Sequence, residues 1–256
     1  RQKMINMMYI VLTAMLALNV AAEVLEAFKV VDSSLIQTLE TVDMKNEQVY
    51  ASFEQAYAEN EEKVGEWKEK ADLVKEKTET MISYLSQIKE SLIKDSGYKP
   101  VNEENLLLPE DFYYVTEEGD TLEITNEQDL NAPSEYMITQ GHAAKLKERI
   151  AEYRNSLISL IGEEDVELKE NILQALNTPD PPVNLKEGGE NKSWETQRFQ
   201  DKPLIAVLTL LSKIQIDVKN SEANLINYLF SQIDAGSFKF NKLGARVIPN
   251  SSVILQ

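Results

Sequence analysis

The spacing of apolar residues divides the chain into one uncharged apolar stretch and a series of helical repeats. No charged residue occurs from Met4 to Ala22, and acidic residues become frequent from Glu23 onward. A helix over this stretch would be about 28 Å long, which matches a hydrocarbon core of roughly 30 Å. The pattern therefore predicts a transmembrane helix over residues 1–22.

The residues at the two ends of this stretch indicate whether it is cleaved or retained, and how it is oriented in the membrane. Ala21 and Ala22 would also suit a signal-peptide cleavage site, but the apolar core of such peptides is only about 7–15 residues long. A retained helix is therefore favoured over a cleaved one. Arg1 and Lys3 precede the stretch, and short flanks rich in cations stay in the cytoplasm. The N-terminus is predicted to be cytoplasmic, with everything after Glu23 on the other side of the membrane.

Polar side chains within the stretch fall on two sides of the predicted helix. Asn6, Tyr9 and Thr13 share one side, while Arg1 and Asn19 belong to a second stripe. Amides and hydroxyls in hydrocarbon seek protein partners, so the pattern favours a helix surrounded by other membrane helices. Tolerance of a few polar residues, with snorkelling at the headgroups, is the simpler alternative. The candidate contacts with a membrane partner are Arg1, Lys3, Asn6, Tyr9, Thr13 and Asn19.

Helical periodicity continues far beyond the apolar stretch. Phe28, Leu35 and Val42 begin a repeat of seven, with Asp32 and Asn46 at the companion heptad position. No glycine or proline interrupts the chain before residue 65. The first helix is therefore predicted to run unbroken to about residue 58, a length on the order of 80 Å.

Later apolar stripes predict four more helices. The second stripe ends at residues 95–100, where Gly97 suits a helix cap and Pro100 prevents continuation, and this helix should form an antiparallel hairpin with the first. A third helix is predicted over 146–160, a short fourth over 166–176, and a long last one from 203 to 236. The fold class is mainly α, with an up-and-down helical bundle over residues 23–236.

Three segments lack this periodicity. Residues 112–125 alternate around a polar turn and predict a small β-hairpin inserted in the bundle. Residues 178–189 contain several prolines and two glycines and predict a surface loop. Residues 237–256 are predicted to be a linker and the first strand of a truncated β domain.

Composition narrows the possible functions. The chain of 256 residues has a net charge of −17, which disfavours nucleic acid because phosphate recognition needs clustered cations. It contains no cysteine and a single histidine, His142, which excludes thiolate metal sites and paired-histidine sites. No glycine-rich phosphate loop precedes a Lys-Ser or Lys-Thr pair. The sequence therefore predicts no enzyme, cofactor, metal site or small-molecule substrate.

The opening residues RQKMINMMYIVLTAMLALNVAAEVLEAF closely resemble the N-terminal membrane segment of the GldM/PorM family, motor subunits of gliding motility and type IX secretion in Bacteroidota. The resemblance extends over nearly the whole chain. Its other segments are residues 129–133, 146–154, 194–199 and 211–215, with Glu222 downstream.

This resemblance implies a rotor and shaft subunit of a motor in the bacterial inner membrane, with most of the chain in the periplasm. Members of the family form homodimers whose membrane helices lie inside a ring of the multi-span protein GldL or PorL. Proton flow through the ring is thought to rotate the dimer. Later immunoglobulin-like domains would transmit the torque to outer-membrane-associated components. The stretch from Met4 to Ala22 has no carboxylate of its own, so a proton-binding carboxylate would belong to the ring. The resemblance implies that Arg1 pairs with a membrane glutamate of that ring. A positive-inside anchor is the alternative role of Arg1.

Two other functions are compatible with a membrane-anchored helical bundle. One is a periplasmic sensor that binds a small ligand and signals through its membrane helix. This function needs a second span, and none appears within residues 23–256, which leaves a span later in the protein as the condition for it. The other is a passive periplasmic scaffold, for which the polar residues of the span would have no role.

Overall fold

A computed structural model describes residues 2–102, 105–106, 112–182 and 192–238, with side chains at all of these positions except 2, 13–21 and 234–238. The helices are α1 (Gln2–Glu59), α2 (Glu61–Ser96), α3 (Asn131–Ser134), α4 (His142–Ile158), α5 (Val166–Ala175), α6 (Trp194–Phe199) and α7 (Leu204–Phe238). A π-helical turn over Glu135–Thr139 joins α3 to the loop before α4. The strands are β1 (Tyr98–Pro100), β2 (Tyr113–Val115) and β3 (Thr121–Ile124).

Helix α1 is a single helix of 58 residues, which corresponds to a length of about 87 Å. It ends at a tight turn where the Asn60 side chain accepts a hydrogen bond from the Lys63 backbone N–H at 3.0 Å and so caps α2. Lys68 pairs with Glu54 at 2.9 Å and Lys75 with Glu47 at 2.7 Å. Because the contacts move backward along α1 as they move forward along α2, the two helices form the predicted antiparallel hairpin.

Helix α7 runs parallel to α1, as expected for the last of five predicted helices that alternate in direction. Asp32 of α1 contacts Ser212 of α7, and further along both helices Phe53 contacts Phe230. Helix α4 also runs in the direction of α1, because its contacts on α2 move back from Tyr84 to Thr78 as α4 advances from Arg149 to Tyr153. Residues 159–203, which include α5 and α6, carry the chain back before α7 starts. Helix α5 starts beside Tyr228, late in α7, and ends beside Arg154 of α4. The directions of α1, α2, α4, α5 and α7 therefore alternate, as an up-and-down bundle requires.

The core lies where α1, α2, α4 and α7 meet. The predicted stripe of α2 is buried at nearly every position, and Leu146, Ile150 and Leu157 bury the matching face of α4. On α1 the companion heptad position holds buried Asp32, Asn46 and Phe53. This burial confirms the predicted helical faces, and it places two polar residues of α1 inside the core.

The sheet contains one strand more than predicted. Strands β2 and β3 form the expected hairpin, and β1 adds to the other side of β3 to give the order β1-β3-β2. All pairs are antiparallel, with Tyr98 opposite Ile124 and Tyr114 opposite Leu122. Strand β1 was missed because Pro100 argues against a strand. The proline is tolerated because β1 is an exposed edge strand.

The N-terminal part of α1 projects beyond the bundle. Its described side chains are exposed from Lys3 to Leu12 and at 22–24, and Leu25 is the first buried residue among the described side chains of the helix. Among the residues that the structure describes, no helix is long and apolar enough to cross a membrane. The predicted span over 1–22 is therefore not supported by the described part. Arg1 and the side chains at 13–21 lie outside the described residues.

The C-terminal prediction can be compared only at its start. The last helix was predicted to end at Gly236, but α7 continues through Phe238, so positions 237–238 are helical rather than linker. The predicted β segment over 239–256 lies outside the described residues, as does the part of the predicted surface loop at 183–189.

We expect Phe53→Ala to lower the free energy of unfolding by about 3–5 kcal/mol, because a large buried ring would leave a cavity. Phe53 is 1% exposed and meets the edge of the Phe230 ring at 5.1 Å between centroids. Urea unfolding of the full chain in detergent, followed by circular dichroism, measures this change. The neighbouring exposed change Ser52→Ala is the control and should alter stability by less than about 0.5 kcal/mol. Equal midpoints for the two variants would contradict the assigned core.

Candidate functional site: a buried polar seam

Polar residues form a continuous line along the buried contact of α7 with α1 and α2. On α7 they recur at spacings of three and four, which places them on one helical face. On α1 they occupy heptad positions that face α7. We call this line the polar seam. It consists of Asp32, Asn46, Tyr50, Lys89, Ser212, Gln215, Lys219 and Glu222.

One end of the seam is a cluster centred on Ser212. The Lys89 ammonium donates to Ser212 Oγ at 2.7 Å and to Gln215 Oε1 at 2.6 Å, and Ser212 in turn donates to Asp32 Oδ1 at 2.6 Å. The Gln215 amide donates onward to Ser86 Oγ at 3.3 Å. The serine hydroxyl therefore bridges the cation of α2 and the carboxylate of α1. We call these residues the serine-bridged cluster.

Burial dominates the electrostatics of this cluster. Lys89 is 4% exposed and Asp32 is 3% exposed. Burial lowers the pKa of the Lys89 ammonium to about 8, although the Asp32 carboxylate acts in the opposite direction. Burial also raises the pKa of the Asp32 carboxyl, and the Ser212 hydroxyl and the Lys89 charge offset part of that shift. Both shifts disfavour the charged forms, since low-dielectric surroundings replace water around the two groups.

The other end of the seam is built around the carboxylate of Glu222, which is 1% exposed. One oxygen accepts from the Tyr50 hydroxyl at 2.8 Å. The other accepts from the Asn46 amide at 2.8 Å and lies 3.2 Å from the Lys219 ammonium. The Asn46 amide also donates to the Lys219 backbone carbonyl at 3.1 Å. Three hydrogen bonds thus join α1 to α7 at this end, and the contact between Lys219 and Glu222 lies within α7.

Neighbouring charges at this end extend the cluster to the surface. Lys219 lies 2.6 Å from Asp43, a partly exposed carboxylate of α1. Burial lowers the pKa of Lys219, but its bonds to Asp43 and Glu222 outweigh burial and raise the pKa overall. Burial and the adjacent Glu222 charge raise the pKa of the Tyr50 hydroxyl. Lys219 therefore stays cationic and Tyr50 stays a neutral donor.

The geometry of the seam suits alignment of helices. A buried charged group is costly unless its partners are in place, and a half-satisfied network is more costly than an apolar contact. A shift of α7 by one turn along α1 would move Glu222 and Ser212 about 5.4 Å from their partners. The seam therefore favours one axial position of α7, whereas an apolar stripe would tolerate several.

The residues predicted from sequence lie elsewhere. Lys3, Asn6 and Tyr9 are exposed on the projecting part of α1. Arg1 and the side chains of Thr13 and Asn19 lie outside the described residues. The seam itself was not predicted as a site, although Asp32 and Asn46 had been placed at core heptad positions, where a polar residue is unusual. These two polar residues at core positions were the signal in the sequence that could have indicated the seam.

The single histidine has a local structural environment. His142 begins α4, its ring stacks on Tyr136 with centroids 4.0 Å apart, and burial lowers its pKa. Within the described ranges, no three acidic or histidine side chains are grouped to hold a metal ion.

The fold and the seam together define a helical-bundle domain fixed to a first helix that extends well beyond it. A comparison with protein families matches residues 23–232 to the GldM N-terminal domain. This match covers most of the chain, and the chain belongs to the GldM family. Membership associates it with the machinery of gliding motility and type IX secretion. A search of curated proteins found no match.

We expect Glu222→Gln to lower the free energy of unfolding by about 2 kcal/mol or more. The glutamine oxygen could still accept from Asn46, but its amide would then replace the oxygen that accepts from the Tyr50 hydroxyl, and the Lys219 ammonium would lose a charged partner. Urea unfolding of the full chain measures the loss. Asn224→Ala, an exposed change on the same helix, is the control and should be nearly neutral. A neutral Glu222→Gln would mean that the carboxylate does not organise the α1–α7 contact.

Proposed function

We propose that this chain is the rotor and shaft subunit of a motor driven by the proton motive force, which powers type IX secretion and gliding motility. In this proposal two copies form a homodimer. Helix α1 begins in the bacterial inner membrane with its N-terminus in the cytoplasm, and the bundle occupies the periplasm. The observation that carries the proposal is that one uninterrupted helix joins the exposed apolar end to the buried seam.

The projecting end of α1 supports contact with a membrane and membrane helices. Its apolar side chains are 47–79% exposed in the single chain, and a continuous exposed apolar surface of this kind usually marks an interaction site. These side chains are Met4, Ile5, Met7, Met8, Ile10, Val11 and Leu12. Membership of a family that is generally membrane-associated is consistent with a span over residues 4–22.

The partner proposed for this end is a ring of a GldL-like or PorL-like multi-span protein. No carboxylate occurs from Met4 to Ala22, so a proton-binding carboxylate within the membrane would have to belong to the ring. Arg1 would then supply the counter-charge, and Lys3, Asn6, Tyr9, Thr13 and Asn19 would contact the ring helices.

The parallel course of α1 and α7 gives torque a direct route through the domain. Phe230, near the end of α7, packs on Phe53, near the end of α1. The end of α7 therefore lies at the opposite end of the bundle from the projecting part of α1. Rotation would enter through α1, pass across the polar seam, and leave through α7 toward later domains and outer-membrane-associated components.

We expect a flexible joint at the base of the shaft to abolish motor output without preventing assembly. Residues 22–24 are exposed and lie between the apolar end and the first buried residue. Replacing Ala22, Glu23 and Val24 with glycine removes little packing, since Val24 is 49% exposed, but each glycine disfavours the helix by about 1 kcal/mol relative to alanine. The matched control, Glu23→Ala with Val24→Ala, retains a strong helix former at all three positions.

Both variants would be produced in cells that lack the native copy. Recovery of the multi-span partner with the tagged chain measures assembly, and gliding speed and the amount of secreted cargo measure output. The proposal predicts equal assembly, with output near the native level for the alanine variant and strongly reduced for the glycine variant. Full output from the glycine variant would contradict a rigid shaft and favour a passive scaffold.

A further inference from the structure

Lys89 is held inside the bundle by neutral partners. Its ammonium contacts the oxygen atoms of Ser212 and Gln215 at 2.7 and 2.6 Å and is 4% exposed. Among the described residues, the carboxylate whose charge acts on it is Asp32, which is reached through the Ser212 hydroxyl. The lysine is therefore buried without a direct carboxylate partner.

The other elements around this site add no further charge to it. From the sheet, Tyr114 of β2 donates to the Ser86 carbonyl at 3.5 Å, and burial raises the pKa of this hydroxyl, which keeps it neutral. On α7, Lys213 pairs with Asp217 toward the surface. The protonation of Lys89 is consequently set by its burial and by Asp32.

An ammonium in such a place is less stable than one in water, because two neutral oxygens replace only part of its hydration. A neutral amine keeps N–H donors for both oxygens at a smaller desolvation cost. If α7 moved away and water reached the site, Lys89 would recover the proton affinity of an exposed lysine. The open and closed arrangements therefore differ in how strongly Lys89 holds its proton.

We propose that separation of α7 from α1 and α2 at the serine-bridged cluster is coupled to proton uptake by Lys89, so that this contact tightens as the solution becomes more alkaline. This coupling goes beyond the proposed motor role and does not depend on it. It would make the rigidity of the α1–α7 contact sensitive to the pH around the domain.

The direction follows from the lowered pKa of Lys89 in the closed arrangement. Below about pH 8 the closed contact contains the buried ammonium and bears its full cost. Between about 8 and the ordinary lysine value of 10.5, the closed contact holds the neutral amine, while the open one is still protonated. Raising the pH through this window removes the cost and favours closure. The contribution of Asp32 to the pH dependence of closure has the opposite sign, because a carboxyl with a raised pKa in the closed arrangement favours closure as the pH falls.

Hydrogen exchange of the full chain in detergent tests the proposal. Exchange of backbone amides over residues 208–216 is measured by mass spectrometry at about pH 7 and about pH 9, for the native chain and for Lys89→Met. Comparison at equal pH cancels the intrinsic acceleration of exchange by base. Exchange rates give an equilibrium constant for local opening, the opening constant. The ratio of this constant in the native chain to that in Lys89→Met should be about tenfold lower at pH 9 than at pH 7. Lys77→Met, which removes an exposed lysine of α2, should leave the native pH dependence unchanged.

A second pair of variants removes the titration of Asp32 from the comparison. Asp32→Asn keeps Lys89, and Asp32→Asn with Lys89→Met leaves neither charge buried, so this pair remains informative if Lys89→Met alone does not fold. The ratio of their opening constants should again fall with pH, and the fall should begin at a lower pH because the lysine has lost its counter-charge. Ratios that stay constant within about twofold in both pairs, or that rise with pH, would overturn the proposal.

Discussion

The cost of burying charge between helices is the constraint on which this structure depends. Glu222, Asp32 and Lys89 are almost completely buried, and burying such groups is costly unless their hydrogen-bond partners on another helix are in place. Each of these groups is bonded across a contact between α7 and either α1 or α2, so all of them are satisfied together in one axial position of α7. Apolar packing around the seam stabilises the contact between the helices, and the polar groups determine the axial position of α7 along α1 and α2.

This constraint links the projecting part of α1 to the rest of the molecule. Most of α1 after Leu25 has one face buried in the bundle, whereas its first turns have exposed apolar side chains. A helix that is continuous across these two environments couples them mechanically, since no glycine or proline occurs between its ends. Membership of the GldM family associates this coupled helix with gliding motility and type IX secretion. In the proposed shaft role, the coupling transmits rotation from the membrane to the bundle.

The sequence predicts those features that depend on local chemistry. The length of α1, the α1–α2 hairpin, the buried face of α2 and the β2–β3 hairpin each follow from periodicity and turn residues within one segment. The parallel course of α7 agrees with the alternating order of the five predicted helices, but its pairing with both α1 and α2 could not be predicted, because that pairing depends on residues far apart in the chain. Strand β1 depends on pairing with β3, which outweighed the local preference of Pro100. For the seam, sequence identifies Asp32 and Asn46 as misplaced polar residues, but not their partners about 175 residues away.

The most direct measurement of the central claim is the distance between α1 and α7 in the working assembly. The chain has no cysteine, so cysteines introduced at the exposed positions Ser52 and Asn227 can be spin-labelled specifically and diluted with unlabelled chain. Pulsed electron paramagnetic resonance would then be recorded in membranes with and without a proton gradient. The account predicts one narrow distance distribution that is the same in both states. A broad distribution, or a second distance that appears with the gradient, would show that α7 slides along α1 and would contradict the rigid seam.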